Sequence, residues 1–226
     1  FDMWNDTMLI VGTDHGFLLG EHGWWAKNQM PYYNEVANNP LFIWDPRGGQ
    51  RGVQRNALVQ MIDWAPTLLE FFNQPIPADV QGHPLAKILA DDTPVRDAAL
   101  FGVFSGHVNV TDGRYVYMRA ALPGRENDIA NYTLMPIKMN TRFDMAELQS
   151  LTLSPPFSFT KGVKTLRIPS REKYPGINRT GHLLFDLHTD PQQLTPIDDK
   201  EVEERMIALL VRLLKESDAP VEQFIR

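Results

Sequence analysis

Thr7-Met8-Leu9-Ile10-Val11-Gly12-Thr13-Asp14-His15-Gly16 is the stretch on which the fold turns. Its apolar part is continuous rather than alternating, the pattern of a strand covered on both faces in a mostly parallel α/β sheet. Asp14 and His15 follow at the carboxyl edge, where open α/β sheets place their ligands. A second run, Leu41-Phe42-Ile43-Trp44, is stopped by Asp45-Pro46. About 30 residues rich in Gly, Asn and aromatics separate the two runs. Connections that long in a compact domain are functional or disordered, and the Trp and Tyr content argues for order.

Working outward, the loop carries a consistent set of chemistries. A carboxylate and an imidazole side by side reach one cation, and Gly16 lets the backbone turn away from it. Lys27 adds a compact positive charge suited to an anion held beside a metal. His22 adds a hydrogen bond or a proton. Each residue also has a plainer reading: Asp-His-Gly as an Asx-type turn, Lys27 as a solvated side chain, His22 as a structural histidine, and Trp24 and Trp25 as wall and core. Taken alone, the residues point to a metal-assisted hydrolase acting on an anion, with an ordinary loop as the competing reading.

Further along, Asp63-Trp64-Ala65-Pro66-Thr67 opens a helix, with Asp63 as its cap and Pro66 in the first turn. Val108–Val110 and Tyr115–Met118 flank Asp112-Gly113, a hairpin signal. Leu183–Leu187 reads as a strand. In the last helix, capped by Asp198 or Asp199, Val202, Met206, Leu209, Leu210, Leu213 and Leu214 form one stripe. Residues 122–170 carry little periodicity and stay unassigned. The predicted organisation is the end of an α/β domain with a mixed sheet over 1–95, then a small α+β unit over 96–226 with an antiparallel sheet and a carboxyl-terminal helix.

Composition sets the limits. The chain has 226 residues, 43% of them hydrophobic, a net charge of −6 and no cysteine. Disulfide scaffolds, thiolate metal sites and a cysteine nucleophile are therefore absent from this polypeptide. The acidic balance lacks the electrostatic footprint of a nucleic-acid binder. No apolar run approaches the roughly 20 residues of a membrane span. The composition leaves the compartment open. Four glycosylation-type sequons, at Asn5, Asn109, Asn131 and Asn178, matter only in a secretory eukaryote. The start at Phe1, with no signal-like segment, predicts a piece cut from a longer chain.

Several motifs occur in a fixed order: Thr13-Asp-His-Gly-x3-Gly-Glu-His-Gly-x3-Lys27, Asn39-Pro-Leu-Phe-Ile43, Asp63-Trp-Ala-Pro-Thr-Leu-Leu-Glu70, Val80-Gln-Gly-His-Pro-Leu85 and Leu184-Phe-Asp-Leu-His-Thr-Asp-Pro191. Together they resemble the carboxyl-terminal half of the sulfatases, within the alkaline-phosphatase-like superfamily. The resemblance implies that Asp14 and His15 are metal ligands and that Lys27 binds sulfate oxygens; with Lys27, His22 is the candidate catalytic residue, lining the pocket. It also implies a divalent ion, Ca²⁺ by family, although an imidazole ligand on chemistry alone suits Mn²⁺ or Zn²⁺. The formylglycine nucleophile, made from Cys or Ser, belongs to the amino-terminal half, so the expectation is an inactive fragment of an enzyme acting on a sulfated small molecule or glycan. A phosphodiester or phosphonate hydrolase of the same superfamily and a non-catalytic recognition fragment are the alternatives. Asn38 and Asn39 depart from the family pattern, removing an expected partner for Glu35.

Overall fold

In the computed structural model, residues 1–27, 31–48, 50–125, 128–138, 141–170 and 180–225 are described. Leu9–Gly12 (β1) is a strand, as expected, but not a parallel one. After the short strands Leu18–Leu19 (β2) and Trp25–Ala26 (β3) and the helical turn Asn34–Ala37 (α1), the chain returns along β1 as Leu41–Trp44 (β4). β1 and β4 pair antiparallel, with Ile10 opposite Ile43. Nor are both faces covered: Leu9, Val11 and Phe42 are 45%, 52% and 68% exposed. A four-residue apolar run reads the same in a central parallel strand and in an antiparallel ribbon, which is why the pattern misled.

Residues 61–63 form a 3-10 turn leading into Trp64–Phe71 (α2). Asp63 does not cap α2. It has helical angles of its own, and its wholly buried carboxylate accepts from the Gln60 amide at 2.7 Å and the His83 amide at 2.9 Å. Arg96 donates two more hydrogen bonds to it, at 2.6 and 2.5 Å. Ala86–Asp91 (α3) follows.

The second half is built on a four-stranded sheet. Ala99–Gly102 (β5), Val108–Thr111 (β6) and Tyr115–Arg119 (β7) form an antiparallel meander, and Leu183–Asp186 (β11) pairs with the far side of β7. The β6–β7 hairpin turns at Asp112-Gly113 as predicted. Asp112 accepts from the amides of Arg114 and Tyr115, and Gly113 takes φ 92°, open to glycine at no steric cost. Residues 122–170 supply what periodicity could not show: Ala130–Thr133 (β8), Met145–Leu148 (α4), Thr152–Ser154 (β9) and Thr165–Pro169 (β10), with β10 central in a second antiparallel sheet. Every strand pairing among the described residues is antiparallel.

Strand alternation gives the larger sheet two buried faces. One face, with Val110, Tyr117 and Leu184, packs on Met206, Leu210 and Leu214 of Lys200–Glu216 (α5), which Asp199 caps by accepting from the Val202 amide at 3.1 Å. The other face, with Val116, Met118 and Phe185, packs on Leu18, Tyr33 and Val36. The loop that carries the candidate site thus rests on the sheet. Glu222–Ile225 (α6) ends the described chain. No described helix is long and apolar enough to cross a membrane. Of the four sequons, Asn109 is fully buried in β6, the Asn131 amide nitrogen is buried in β8, Asn5 is exposed, and Asn178 lies outside the described residues.

Candidate functional site

The loop leaves β1 through a turn built by its own side chains. The Asp14 Oδ1 accepts from the His15 amide at 3.0 Å, and the Thr13 hydroxyl donates to the His15 carbonyl at 3.0 Å. Gly16 then passes against α1, its amide donating to the Val36 carbonyl at 2.9 Å. A Cβ at Gly16 would collide with the Glu35 carbonyl, so the close approach requires glycine. The Asx-type turn and the ligand reading therefore coexist: one Asp14 oxygen makes the turn and leaves the other free to face the site.

That second oxygen, Oδ2, lies 3.3 Å from His15 Nε2. His15 Nδ1 is 2.9 Å from the Gly16 carbonyl, which can only accept, so Nδ1 carries a proton. The β2–β3 hairpin folds Lys27 back across the loop and puts its Nζ 2.7 Å from Nε2. Since an ammonium can only donate, Nε2 accepts, and its lone pair and the Asp14 carboxylate share an electron-rich edge. Desolvation raises the Asp14 carboxyl, but electrostatic attraction to the adjacent His15 ring, the Asp14 and His15 amides and the Thr13 hydroxyl outweigh it and hold Asp14 below the usual carboxylate range. Burial, followed by the Asp14 charge, pushes the Tyr32 phenol up.

Asp14 and Lys27 are thereby both brought to His15, their Oδ2 and Nζ lying 3.3 and 2.7 Å from its Nε2. His22 engages a different pair. With φ at 54° it stacks on Tyr33 (centroids 3.7 Å apart, 6° between planes), and its Nε2 lies 3.3 Å from Glu35 Oε2. The Glu35 carboxylate, for which Asn38 and Asn39 offered no charged partner, is thus met by His22, a pairing that sequence reading missed. Asn39 was also missed as a participant. Its Nδ2 donates to the Asp14 carbonyl at 3.2 Å, while its buried Oδ1 has no protein partner.

The donors suit part of a metal shell. Two ligands about 2.1–2.4 Å from one ion at right angles stand about 3.0–3.4 Å apart, which matches the Asp14–His15 spacing. No group of three or more His, Cys, Asp or Glu able to hold a metal occurs among the described residues. On their own Asp14 and His15 offer two donors, well short of the six to eight oxygens of a typical Ca²⁺ shell.

The family model described as N-sulphoglucosamine sulphohydrolase, C-terminal, matches residues 20–120. The N-acetylglucosamine-6-O-sulfatase of Bacteroides thetaiotaomicron is 32% identical over 155 residues, covering 63% of this chain and 27% of that protein. The arylsulfatase of Clostridium perfringens is 31% identical over 115 residues, covering 47% of this chain and 24% of that protein. The chain thus spans about a quarter of the length of these two relatives. In fold, it is similar to a protein solved with its substrate D-glucosamine-2-N,6-O-disulfate (TM-score 0.63, 20% identity, 96% of this chain and 36% of that one). A 2-O GAG sulfatase is similar as well (TM-score 0.60, 15% identity, 95% and 37%). The ordered motifs, the model matched over residues 20–120, the relatives and the likeness in fold agree with one another: this chain is similar to a carboxyl-terminal portion of the sulfatases.

Proposed function

We propose that the whole protein hydrolyses sulfate monoesters on a glycan and that this chain supplies one wall of the reaction site. Residues 1–95 belong in this reading to the catalytic α/β part and 96–226 to a smaller unit behind it. The convergence of Lys27, His15 and Asp14 carries the proposal, because a cleaved sulfate ester presents several anionic oxygens that need fixed positive charge. The names of the relatives, an N-acetylglucosamine-6-O-sulfatase and a 2-O GAG sulfatase among them, support a sulfated glycan as substrate.

Asp14 Oδ2 and His15 Nε2 would hold a divalent metal, with the remaining ligands supplied from outside this chain. When bound, the ion supplies Lewis-acid stabilisation of charge on the sulfate oxygens. The Nδ1–H to Gly16 bond fixes the His15 ring with Nε2 toward the site. Lys27 releases Nε2 and turns its ammonium to the sulfate oxygens, where it stabilises the charge that builds as the ester bond breaks. His22, anchored by Tyr33 and Glu35, lines the approach and is the candidate to hold a proton there. The formylglycine nucleophile lies outside this chain, which by itself is inactive.

Lys27→Ala in the whole enzyme, assayed on 6-O-sulfated N-acetylglucosamine, should lower kcat/KM by about 10²–10³-fold, the usual loss of one transition-state donor. Unchanged turnover would return Lys27 to the solvent. Measurable arylsulfatase turnover by the 226-residue chain alone would overturn its assignment as a partial site. The mixed nitrogen and oxygen donors also suit a phosphodiester or phosphonate hydrolase, and a multifunctional alkaline phosphatase superfamily protein of Trinickia caryophylli is 33% identical over 92 residues. Faster turnover of a phosphonate monoester than of any sulfate ester would favour that reading.

A further inference from the structure

Away from the Asp14 loop, residues 122–170 and the segment after α5 line a half-open cavity of about 420 Å³, within the range of small-molecule sites. None of its lining residues belongs to the loop that holds Asp14, His15 and Lys27. Its walls are aromatic: Tyr132 meets Phe157 edge-on at 5.3 Å, and Phe157 stacks on Phe159 at 5.4 Å with 5° between planes. Phe159 is nevertheless 45% exposed.

The aromatic wall is held in place. The Thr160 hydroxyl accepts from the Phe157 amide at 3.0 Å and sits 2.8 Å from the Val163 carbonyl, closing the 3-10 turn Ser158–Thr160. The Ser158 amide donates to Asp218 Oδ2 at 2.6 Å, tying that turn to the end of α5. Tyr132 is fixed in turn by its hydroxyl, which donates to Glu222 at 2.7 Å and accepts from Arg167 at 3.1 Å. A platform so fixed loses little freedom when a ligand lies on it.

The polar groups are sparse and specific. Thr165 is 3% exposed, lines the cavity, and its hydroxyl has no hydrogen-bond partner in the structure. A buried hydroxyl left unpaired is costly, and a ligand that pairs with it removes that cost. Asp218 is the one charged side chain among the described lining residues. Its hydrogen bonds with Ser158, side chain and then backbone, hold its carboxyl below the usual range, so the wall stays anionic near neutrality.

We propose that this cavity is a saccharide site that takes one uncharged pyranose ring, stacked on Phe159 and hydrogen-bonded through ring hydroxyls to Thr165 and Asp218. A sugar ring presents apolar C–H faces and donor hydroxyls at its rim, which match an aromatic floor bordered by an unpaired hydroxyl and a carboxylate. A purely apolar partner would leave the Thr165 hydroxyl unpaired. A sulfated ring would set its anion against Asp218. The site requires a sugar but no ester, so it stands or falls separately from the proposed sulfate chemistry.

The test is a titration of the chain with methyl β-D-glucopyranoside and, in parallel, with its 6-sulfate and with cyclohexane-1,2-diol, following backbone amide shifts. The expected result is saturable binding with Kd on the order of 1 mM, the weak end of the affinity scale, with shifts at Phe159, Thr165 and Asp218 and weaker binding of the sulfate. Phe159→Ala, at an exposed ring, should weaken it roughly three- to tenfold with the melting temperature unchanged. Thr165→Val, which keeps the shape, should weaken the sugar by roughly two- to tenfold but not the diol. Absence of shifts at these residues up to about 100 times that Kd, tighter binding of the sulfate, or binding indifferent to both substitutions would overturn the proposal.

Discussion

Gly16 shows how much of the site is set by one residue. Its amide reaches Val36, and the Glu35 carbonyl occupies the space that a methyl group would need. Because the obstacle is backbone on the packed turn α1, it cannot swing aside, and Gly16→Ala should cost about 1–3 kcal/mol, as overpacking does. Gly20 is the control. Nothing surrounds its absent Cβ, and only its φ of 126° opposes a side chain, so Gly20→Ala should cost about 1 kcal/mol. Urea melts of both variants check this, and equal costs would mean that the loop does not press on α1. At this scale the sequence was informative where chemistry was local. Asp14 and His15 are neighbours at a strand end, and Lys27 returns through a hairpin of two-residue strands. The His22–Glu35 contact joins residues thirteen apart through a left-handed histidine, a conformation that residue type does not announce.

Asp63 marks where element reading went astray. An Asp before Trp-Ala-Pro-Thr has the form of a cap, yet the carboxylate is spent on Gln60, His83 and Arg96, and the helix begins from the preceding 3-10 turn. The reason is tertiary: Arg96, 33 residues on, is itself only 8% exposed at its side chain and needs a buried counter-charge. Removing one partner strands the other, so Arg96→Ala should destabilise the chain by about 3–5 kcal/mol, far more than loss of an ordinary cap. By contrast, Asp199→Ala removes a real cap at an exposed helix start and should cost about 1 kcal/mol. Thermal unfolding separates the two. A loss at Arg96 no greater than at Asp199 would mean that the pair is solvated. Helix α5 was legible because its stripe repeats over 17 residues. The β8–β10–β9 sheet was not, since its strands are three to five residues long and β8 pairs with β10 across more than thirty residues of chain.

Across the whole molecule, the apolar stripe and the hairpin specified the larger sheet and its helix, whereas strand direction in β1 and β4 depended on pairing that no local run encodes. Charge placement has a global consequence as well. Hydrogen bonds from Arg114 and Arg212 are the leading causes that hold Asp186 and Asp97 below the usual carboxylate range, and the Asn56 and Ala57 amides do the same for Asp92. Their folded values lie below the unfolded ones, so their stabilisation is complete above about pH 4 and is lost as the pH falls through the folded values. His182 acts earlier on the scale. Burial, then the Arg119 charge, lowers it, Glu203 opposes in part, and Tyr117 lies 6.2 Å away, ring to ring. Below about pH 6.5 the unfolded chain therefore takes a proton that the folded chain refuses, and stability declines by at most about 1.4 kcal/mol per pH unit for this one group. Denaturant melts from pH 4.5 to 8 should show that shallow limb, with a steeper loss on further acidification. His182→Asn keeps an acceptor for the Ala120 amide, which His182 Nδ1 receives at 3.1 Å, but cannot titrate. The shallow limb should vanish in that variant while the acid limb stays, and its persistence would assign the proton to another group.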